Sequence, residues 1–320
     1  MELDIFNPQI STVAKGLEGK VILVYGGNNL GKTKQATRMK KPFYLPFEAG
    51  LNAIPGVPFC PITKWSDFIK INKQLTDPAT VEKAREMYST IIFDEIEAAA
   101  NYCQEFICQK YKAPSIGEGN GGYGLWKEYA TEFWKQINKL LGAGYCCYFI
   151  AHAQEDKDGF ISPKADKRAL SPILNNTDLC VYVQSNGVDE EGKVIKSSGY
   201  LAQTDKFFAR SRFDYLPTTF IKEFSAEALE DVIVKAIEIQ EREEGVKAVT
   251  YDEQKAQRTV ETKSYDDLMD TLQTLGEKLA DNGYLEDLQT IVANQLGEGK
   301  KASDLKKGQE QTIEAIIYDI

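Results

Sequence analysis

The feature that most limits what this chain can fold into is residues 21–33, VILVYGGNNLGKT. Val21-Ile22-Leu23-Val24-Tyr25 is a short unbroken apolar run, the pattern of a strand buried on both faces of a parallel sheet. The run breaks at Gly26-Gly27 and leads into Gly31-Lys32-Thr33, so Gly26, Gly31, Lys32 and Thr33 satisfy G-x-x-x-x-G-K-[ST]. The residue types suit an anion. Main-chain N–H groups can curl around phosphate oxygens only where no side chain blocks the approach. Gly26, Gly27, Asn28, Asn29, Leu30 and Gly31, with Lys32, Thr33 and Lys34, are therefore the expected nucleotide cradle. Lys32 is placed to reach the β- and γ-phosphates, and the Thr33 hydroxyl to ligate Mg²⁺. A helix over residues 32–40 is expected to aim its positive end at the anion. The competing reading is a glycine-rich turn that binds nothing. It leaves unexplained why strand, motif and helix pattern coincide.

Three further apolar runs end in polar residues. Pro42-Phe43-Tyr44-Leu45-Pro46-Phe47 reads as a second strand, weakened by Pro46, and stops at Glu48-Ala49-Gly50. Residues 89–95, STIIFDE, run straight into Asp94 and Glu95, the form of a strand-end acid that orients a Mg²⁺ shell. Tyr145-Cys146-Cys147-Tyr148-Phe149-Ile150-Ala151 reads as a fourth strand, followed by His152, the only histidine, and Gln154. Ligands of open parallel sheets meet the C-terminal strand ends. Gly26, Glu48, Asp94 and His152 all fall there, which argues for one composite site with His152 or Gln154 sensing the γ-phosphate.

The remaining chain is read more coarsely. Residues 1–18 look like an N-terminal arm. Helices are expected over residues 65–75, 80–88 with Thr80 as N-cap, and 96–112. The glycines between 117 and 124 mark a flexible loop. Trp126, Tyr129, Phe133, Trp134, Ile137 and Leu140 recur at helical spacing, and these aromatics read as core. Residues 155–170 read as a polar loop carrying Lys157, Lys164, Lys167 and Arg168. Strands are expected over 178–184, 199–204 and 206–212. The last carries Lys206, Arg210 and Arg212, either a basic contribution to a neighbouring subunit's site or a solvated strand edge. Ser225 caps a helix, residues 241–263 read as a charged linker, and two leucine-rich helices follow. The domain reading is arm 1–18, ATPase core 19–222, a helix at 223–240 packing on it, linker 241–263 and an acidic helical region 264–320.

Composition narrows the class. No run approaches a membrane span of ~20 apolar residues, and the N-terminus carries no basic segment followed by an apolar core. Six cysteines without CxxC pairing read as free thiols of a reducing cytoplasm. Residues 1–220 hold 26 Lys/Arg against 25 Asp/Glu, and residues 221–320 hold 12 against 23. The acidity thus sits in the last third, and a near-neutral core can still present a basic groove to nucleic acid.

Taken in order, the phosphate loop, Glu48-Ala49-Gly50, Ile91-Ile92-Phe93-Asp94-Glu95, Tyr123-Gly124-Leu125-Trp126 before a long helix, and Tyr148-Phe149-Ile150-Ala151-His152 resemble the RecA-like phage nucleotide-binding ATPases. These include the core-only recombinase relatives that act as single-strand annealing proteins. The resemblance covers roughly residues 15–220. It implies an α/β RecA-like P-loop NTPase, with a mostly parallel central sheet flanked by helices and a small helical C-terminal appendage. It implies ATP with Mg²⁺, held at Thr33 and Asp94, single-stranded DNA as partner, and rings or filaments of identical subunits. Lys32 would act at the γ-phosphate. The water-activating glutamate of RecA-like enzymes corresponds to Glu48, which is preferred; that of many other P-loop ATPases corresponds to Glu95. The loop at 155–170 takes the place of the family's second DNA-binding loop, and Arg210 leads the candidates for a basic residue acting in trans. Alternatives are a nucleotide-gated interaction module that recruits a single-strand-binding or replication protein, and a helicase or helicase loader.

Overall fold

The computed structural model describes residues 5–259 and 263–320. Two compact units emerge, residues 9–257 and residues 258–320 together with the N-terminal residues up to Pro8.

The larger unit is built on a sheet of nine strands. Its centre is five parallel strands in the order β2 (Pro42–Pro46), β3 (Thr90–Asp94), β4 (Cys146–Glu155), β1 (Val21–Gly26) and β6 (Leu179–Gln184). Pro46 is tolerated because β2 is an edge strand, where a missing N–H breaks no ladder bond. Antiparallel strands extend the sheet. β5 (Ile161–Lys164) pairs with β4, β7 (Ser198–Tyr200) and β8 (Arg210–Ser211) pair with β6, and β9 (Phe220–Ile221) pairs with β7.

Side chains alternate between the two faces, as a strand requires. Leu23, Tyr25, Phe93, Cys147 and Phe149 join a core with α2 (Trp65–Thr76), α4 (Ile96–Tyr111), α5 (Trp126–Gly142) and α6 (Lys167–Asn176). Its centre is aromatic: Phe93 stacks on Phe149 at 4.7 Å between ring centroids, and Trp65 on Phe133 at 5.6 Å. Removing one such ring would cost ~3–5 kcal/mol. Ile22, Val24, Tyr44, Ile92, Tyr148 and Ile150 face the other way, against α1 (Lys32–Ala36) and α7 (Ala226–Glu244). This parity puts Asp94 and His152, two residues beyond Ile92 and Ile150, on the side of the phosphate-loop helix.

Several sequence expectations need correction. α1 has five residues and stops at Ala36, because the chain turns to bury Met39 and to let Lys40 N–H bond the Glu230 carboxylate at 2.9 Å. Thr80 precedes α3 (Val81–Met87) but does not cap it, its hydroxyl donating instead to Gln74 O at 2.6 Å. β4 runs on to Glu155, so His152 and Gln154 lie inside a strand, and residues 155–170 form the hairpin to β5 and the start of α6 rather than an open loop. Of residues 206–212, only Arg210 and Ser211 make a strand.

The arm and the linker also read differently. Ala14 is buried, pairs with Val249 and accepts a bond from the Lys20 ammonium at 2.8 Å, so the described residues from 9 onward belong to the body. Most of residues 241–257 is structured: α7 reaches Glu244, and α8 (Tyr251–Arg258) anchors through Tyr251 Oη to Leu141 O at 2.6 Å. Residues 1–4 of the expected arm and 260–262 of the expected linker lie outside the described residues. The Ser225 cap is present, accepting Ala228 N–H at 3.1 Å.

The smaller unit holds the two expected helices, α9 (Tyr265–Asp281) and α10 (Leu285–Leu296), and a third, α11 (Glu310–Asp319). Leu268, Leu272, Val292, Leu305, Ile313 and Ile316 form its core. No helix among the described residues is long and apolar enough to cross a membrane.

Candidate nucleotide site

An open cleft of ≈ 390 Å³ lies at the C-terminal ends of the parallel strands, lined by residues 28–34, Glu48, Gly50, Ile54, Asp94, Ile150 and His152. Gly31 begins α1 with φ 80°, a left-handed conformation that favours glycine. The Lys32 side chain folds back over the loop, donating to Gly26 O at 3.0 Å and Gly27 O at 2.6 Å. Burial lowers its pKa, opposed by the charges of Asp94, Glu95 and Glu48. An ammonium so desolvated is poised for an anion.

Thr33 Oγ1 and Tyr44 Oη both donate to Asp94 Oδ2 at 2.7 Å. Burial and the Asp94 carboxylate hold the Tyr44 hydroxyl well above the usual phenol range, so it remains a donor. Gly50 closes over this group. A Cβ there would sit 2.3 Å from Tyr44 Oη and 2.6 Å from Asp94 Oδ2, so only glycine fits. The Thr33 hydroxyl and the Asp94 carboxylate are hard oxygen donors in contact beside the phosphate loop, and that donor set fits Mg²⁺.

Glu95 caps α4 by position, and its buried side chain lies beside Glu48 and His152. One ligand atom from each of the three falls within 4.8 Å of the others. Burial, then the neighbouring Glu48 carboxylate, pushes the Glu95 pKa up to about 8. His152 Nε2 lies 3.1 Å from Glu95 Oε2, within ion-pair distance but off hydrogen-bond alignment, and among the described residues no aligned N–H or hydroxyl donor reaches that buried oxygen, while the Glu95 carboxyl hydrogen-bonds with that of Glu48.

The structure thus brings Lys32, Thr33, Glu48, Asp94, Glu95 and His152 together. It does not bring the other candidates. Gln154 is used within the hairpin, its amide donating to Ser162 Oγ at 3.3 Å and Pro163 O at 3.2 Å. Arg210 sits beside Cys180 near the start of β6, at the opposite end of the sheet, and donates to Leu174 O at 3.1 Å. Arg212 lies at that same end, 3.7 Å from the Asp178 carboxylate and bonded to Asn175 O. Lys206 is on the cleft's side, its carbonyl accepting Ile161 N–H at 2.8 Å. Of the basic residues expected at DNA, Lys157 and Lys167 are exposed, Lys164 pairs with Glu97 at 2.9 Å, and the Arg168 guanidinium lies 4.0 Å over the Trp126 ring.

Tyr44 and Gly50 were missed as functional residues. Gly50 had a visible signal, its place two residues after Glu48. Tyr44 had none, since a tyrosine inside an apolar run reads as core.

Residues 18–213 match the AAA domain family. The chain belongs to the AAA-domain family of P-loop NTPases. It is also 55% identical over 320 residues to the SPbeta prophage-derived uncharacterized protein YorG of Bacillus subtilis (strain 168), spanning 100% of this chain and 98% of that protein. The match to the AAA domain encloses the phosphate loop, the Asp94-Glu95 strand end and His152, so the cleft lies within the shared domain. The three C-terminal helices lie outside the matched domain but inside the alignment with the prophage relative.

Proposed function

We propose that this AAA-domain protein is a Mg²⁺-dependent ATPase of a phage recombination system, RecA-like in its use of Glu48, that binds single-stranded DNA and promotes annealing or strand pairing. The observation that carries the reading is the convergence of Lys32, the Thr33–Asp94 pair and the Glu48–Glu95 pair on one cleft. Residues 26–31 would cradle the phosphates with main-chain N–H groups. Lys32 would exchange its loop carbonyls for phosphate oxygens. Thr33 and Asp94 would hold Mg²⁺, which when bound neutralises charge developing on the phosphoryl oxygens. Tyr44 fixes the rotamer of Asp94. Of the two glutamates, Glu95 keeps the proton near neutral pH because it is the more buried. Glu48, the exposed one of the pair and part of the cleft lining, would orient and deprotonate water.

DNA binding has support from one surface. Arg168 stacks on Trp126, Lys167 adjoins it on α6, and Tyr123, three residues before Trp126, is 88% exposed. Cations interleaved with aromatic faces suit stacked bases and a phosphate backbone. Rings or filaments of identical subunits belong to the same reading, with Lys206, on the cleft's side of the sheet, rather than Arg210 as the candidate basic residue acting in trans. The deciding experiment is phosphate release with and without single-stranded DNA at two salt concentrations. The reading expects stimulation that falls steeply with salt. No release, together with no calorimetric signal for Mg²⁺ and ATP, overturns it.

A second reading, a nucleotide-gated module that recruits a replication or single-strand-binding protein, has its own support. Residues 258–320 form a separate unit with its own core and carry 7 Lys/Arg against 13 Asp/Glu. ATP turnover indifferent to DNA would favour it.

A further inference from the structure

Outside the Mg²⁺ position, one cluster has the composition of a second and different metal site. Glu48 comes from the end of β2, Glu95 from the start of α4 and His152 from β4. Three separate elements thus bring two carboxylates and one imidazole to within 4.8 Å, ligand atom to ligand atom. Proximity of acids alone would mean little. A second observation points to a ligand. The Glu95 side chain is only 5% exposed, and its Oε2, buried without any aligned donor, is turned toward His152 Nε2 at 3.1 Å. Buried carboxylate oxygens normally accept a well-aligned hydrogen bond, and this one faces the centre of the cluster instead.

We propose that Glu48, Glu95 and His152 form a site for a divalent transition-metal ion of the Zn²⁺ class, distinct from the Mg²⁺ position at Thr33 and Asp94. The donor chemistry selects the metal. Mg²⁺ takes hard oxygens and keeps its waters, whereas an imidazole nitrogen with carboxylate oxygens suits Zn²⁺. Three protein ligands, with Glu95 releasing its proton to solvent as the ion binds, leave a fourth position open to water. Glu48 is the most exposed of the three, so the ion has a route from the cleft. An ion held there takes the Glu48 carboxylate away from water, which makes the site inhibitory to the hydrolysis proposed above. Its existence does not depend on that reading.

The test uses the full chain without nucleotide. Zn²⁺ is titrated against a chromogenic chelator, and the ¹⁵N signal of the imidazole is followed in parallel. His152 is the only histidine, so that signal has one source. One equivalent of Zn²⁺ should bind and shift it, and His152→Ala or Glu48→Gln should weaken binding by at least about tenfold. Cys60 is an exposed thiol, so Cys60→Ser should retain the binding. If His152→Ala fails to fold, Glu48→Gln, altered at an exposed position, decides the matter alone. Binding that leaves the imidazole signal unmoved, that survives both variants, or that is lost in Cys60→Ser overturns the proposal, as does the absence of stoichiometric binding. Lys32→Ala should weaken ATP binding and keep Zn²⁺ binding, so failure of the nucleotide reading and failure of the metal site give different results.

Discussion

At the N-terminal ends of the parallel strands, Lys20 gives its ammonium to Ala14 O at 2.8 Å, and Asp178 accepts Val21 N–H at 2.8 Å. Arg210 donates to Leu174 O, and Arg212 sits against Asp178. At the opposite ends Glu95 keeps an oxygen without an aligned donor, two glutamates crowd one histidine, and Lys32 rests on loop carbonyls beside an open cleft. Both ends hold buried charge. One end uses it to tie main chain together, and its groups are consumed. The other holds charge whose partners are still to come. Burial alone therefore does not mark a functional group; burial with unspent hydrogen-bonding capacity does.

Substitutions at the two ends should separate accordingly. The largest effect is expected for Glu48→Gln, which should lower ATP turnover by about 10²–10⁴ while calorimetry still detects ATP; unchanged turnover would move the base to Glu95. Lys32→Ala should cost about 10²–10³ in phosphate release, whereas Arg210→Ala should leave single-chain turnover nearly intact. A comparable loss in both would erase the contrast between the two ends. Tyr44→Phe should raise the Mg²⁺ concentration for half-maximal turnover by about 10–100-fold, the scale for groups that orient a metal's ligands. A Mg²⁺ curve that does not move would make Tyr44 core only.

At the saturated end Asp178→Ala should destabilise the fold by ~1–3 kcal/mol in urea unfolding, because Val21 N–H loses its partner, with ATP binding preserved. The last expectation concerns pH. The Glu95 carboxyl is raised to about 8 in the fold, from the usual ~4.3 of an unfolded chain. Between those values the native protein holds a proton that the unfolded chain has released. Its contribution is therefore complete below the lower value and is lost as pH rises through about 8. The urea midpoint should fall over that range in the wild type and fall less in Glu95→Gln. Equal slopes in the two proteins would remove Glu95 from the account.

Much of this was legible in the residue order. Every strand of the parallel sheet was visible as an apolar run, because strands buried on both faces must be apolar throughout. Gly26, Glu48 and Asp94 fell at strand ends and His152 within β4, where the parallel pairing ends, and sheet topology then made them neighbours. The hairpin at residues 155–164 was not legible, since its pairing depends on Gln154 and Ser162 meeting across a turn. The packing of residues 9–15 against Val249 escaped for the same reason, being a contact between distant parts of the chain. α11 escaped because its apolar residues gain meaning only against α9 and α10.

The sequence by itself determined that a phosphate loop follows a buried strand and that acids end the neighbouring strands. These are local patterns, and local sterics and hydrophobic periodicity suffice to specify them. Only the tertiary structure decided that Tyr44 shares Asp94 with Thr33, that Glu48 and Glu95 stand side by side with His152, and that Arg210 belongs to the far end of the sheet. Those facts depend on strand order and on which face each side chain takes, and both are set by packing between segments far apart in the chain.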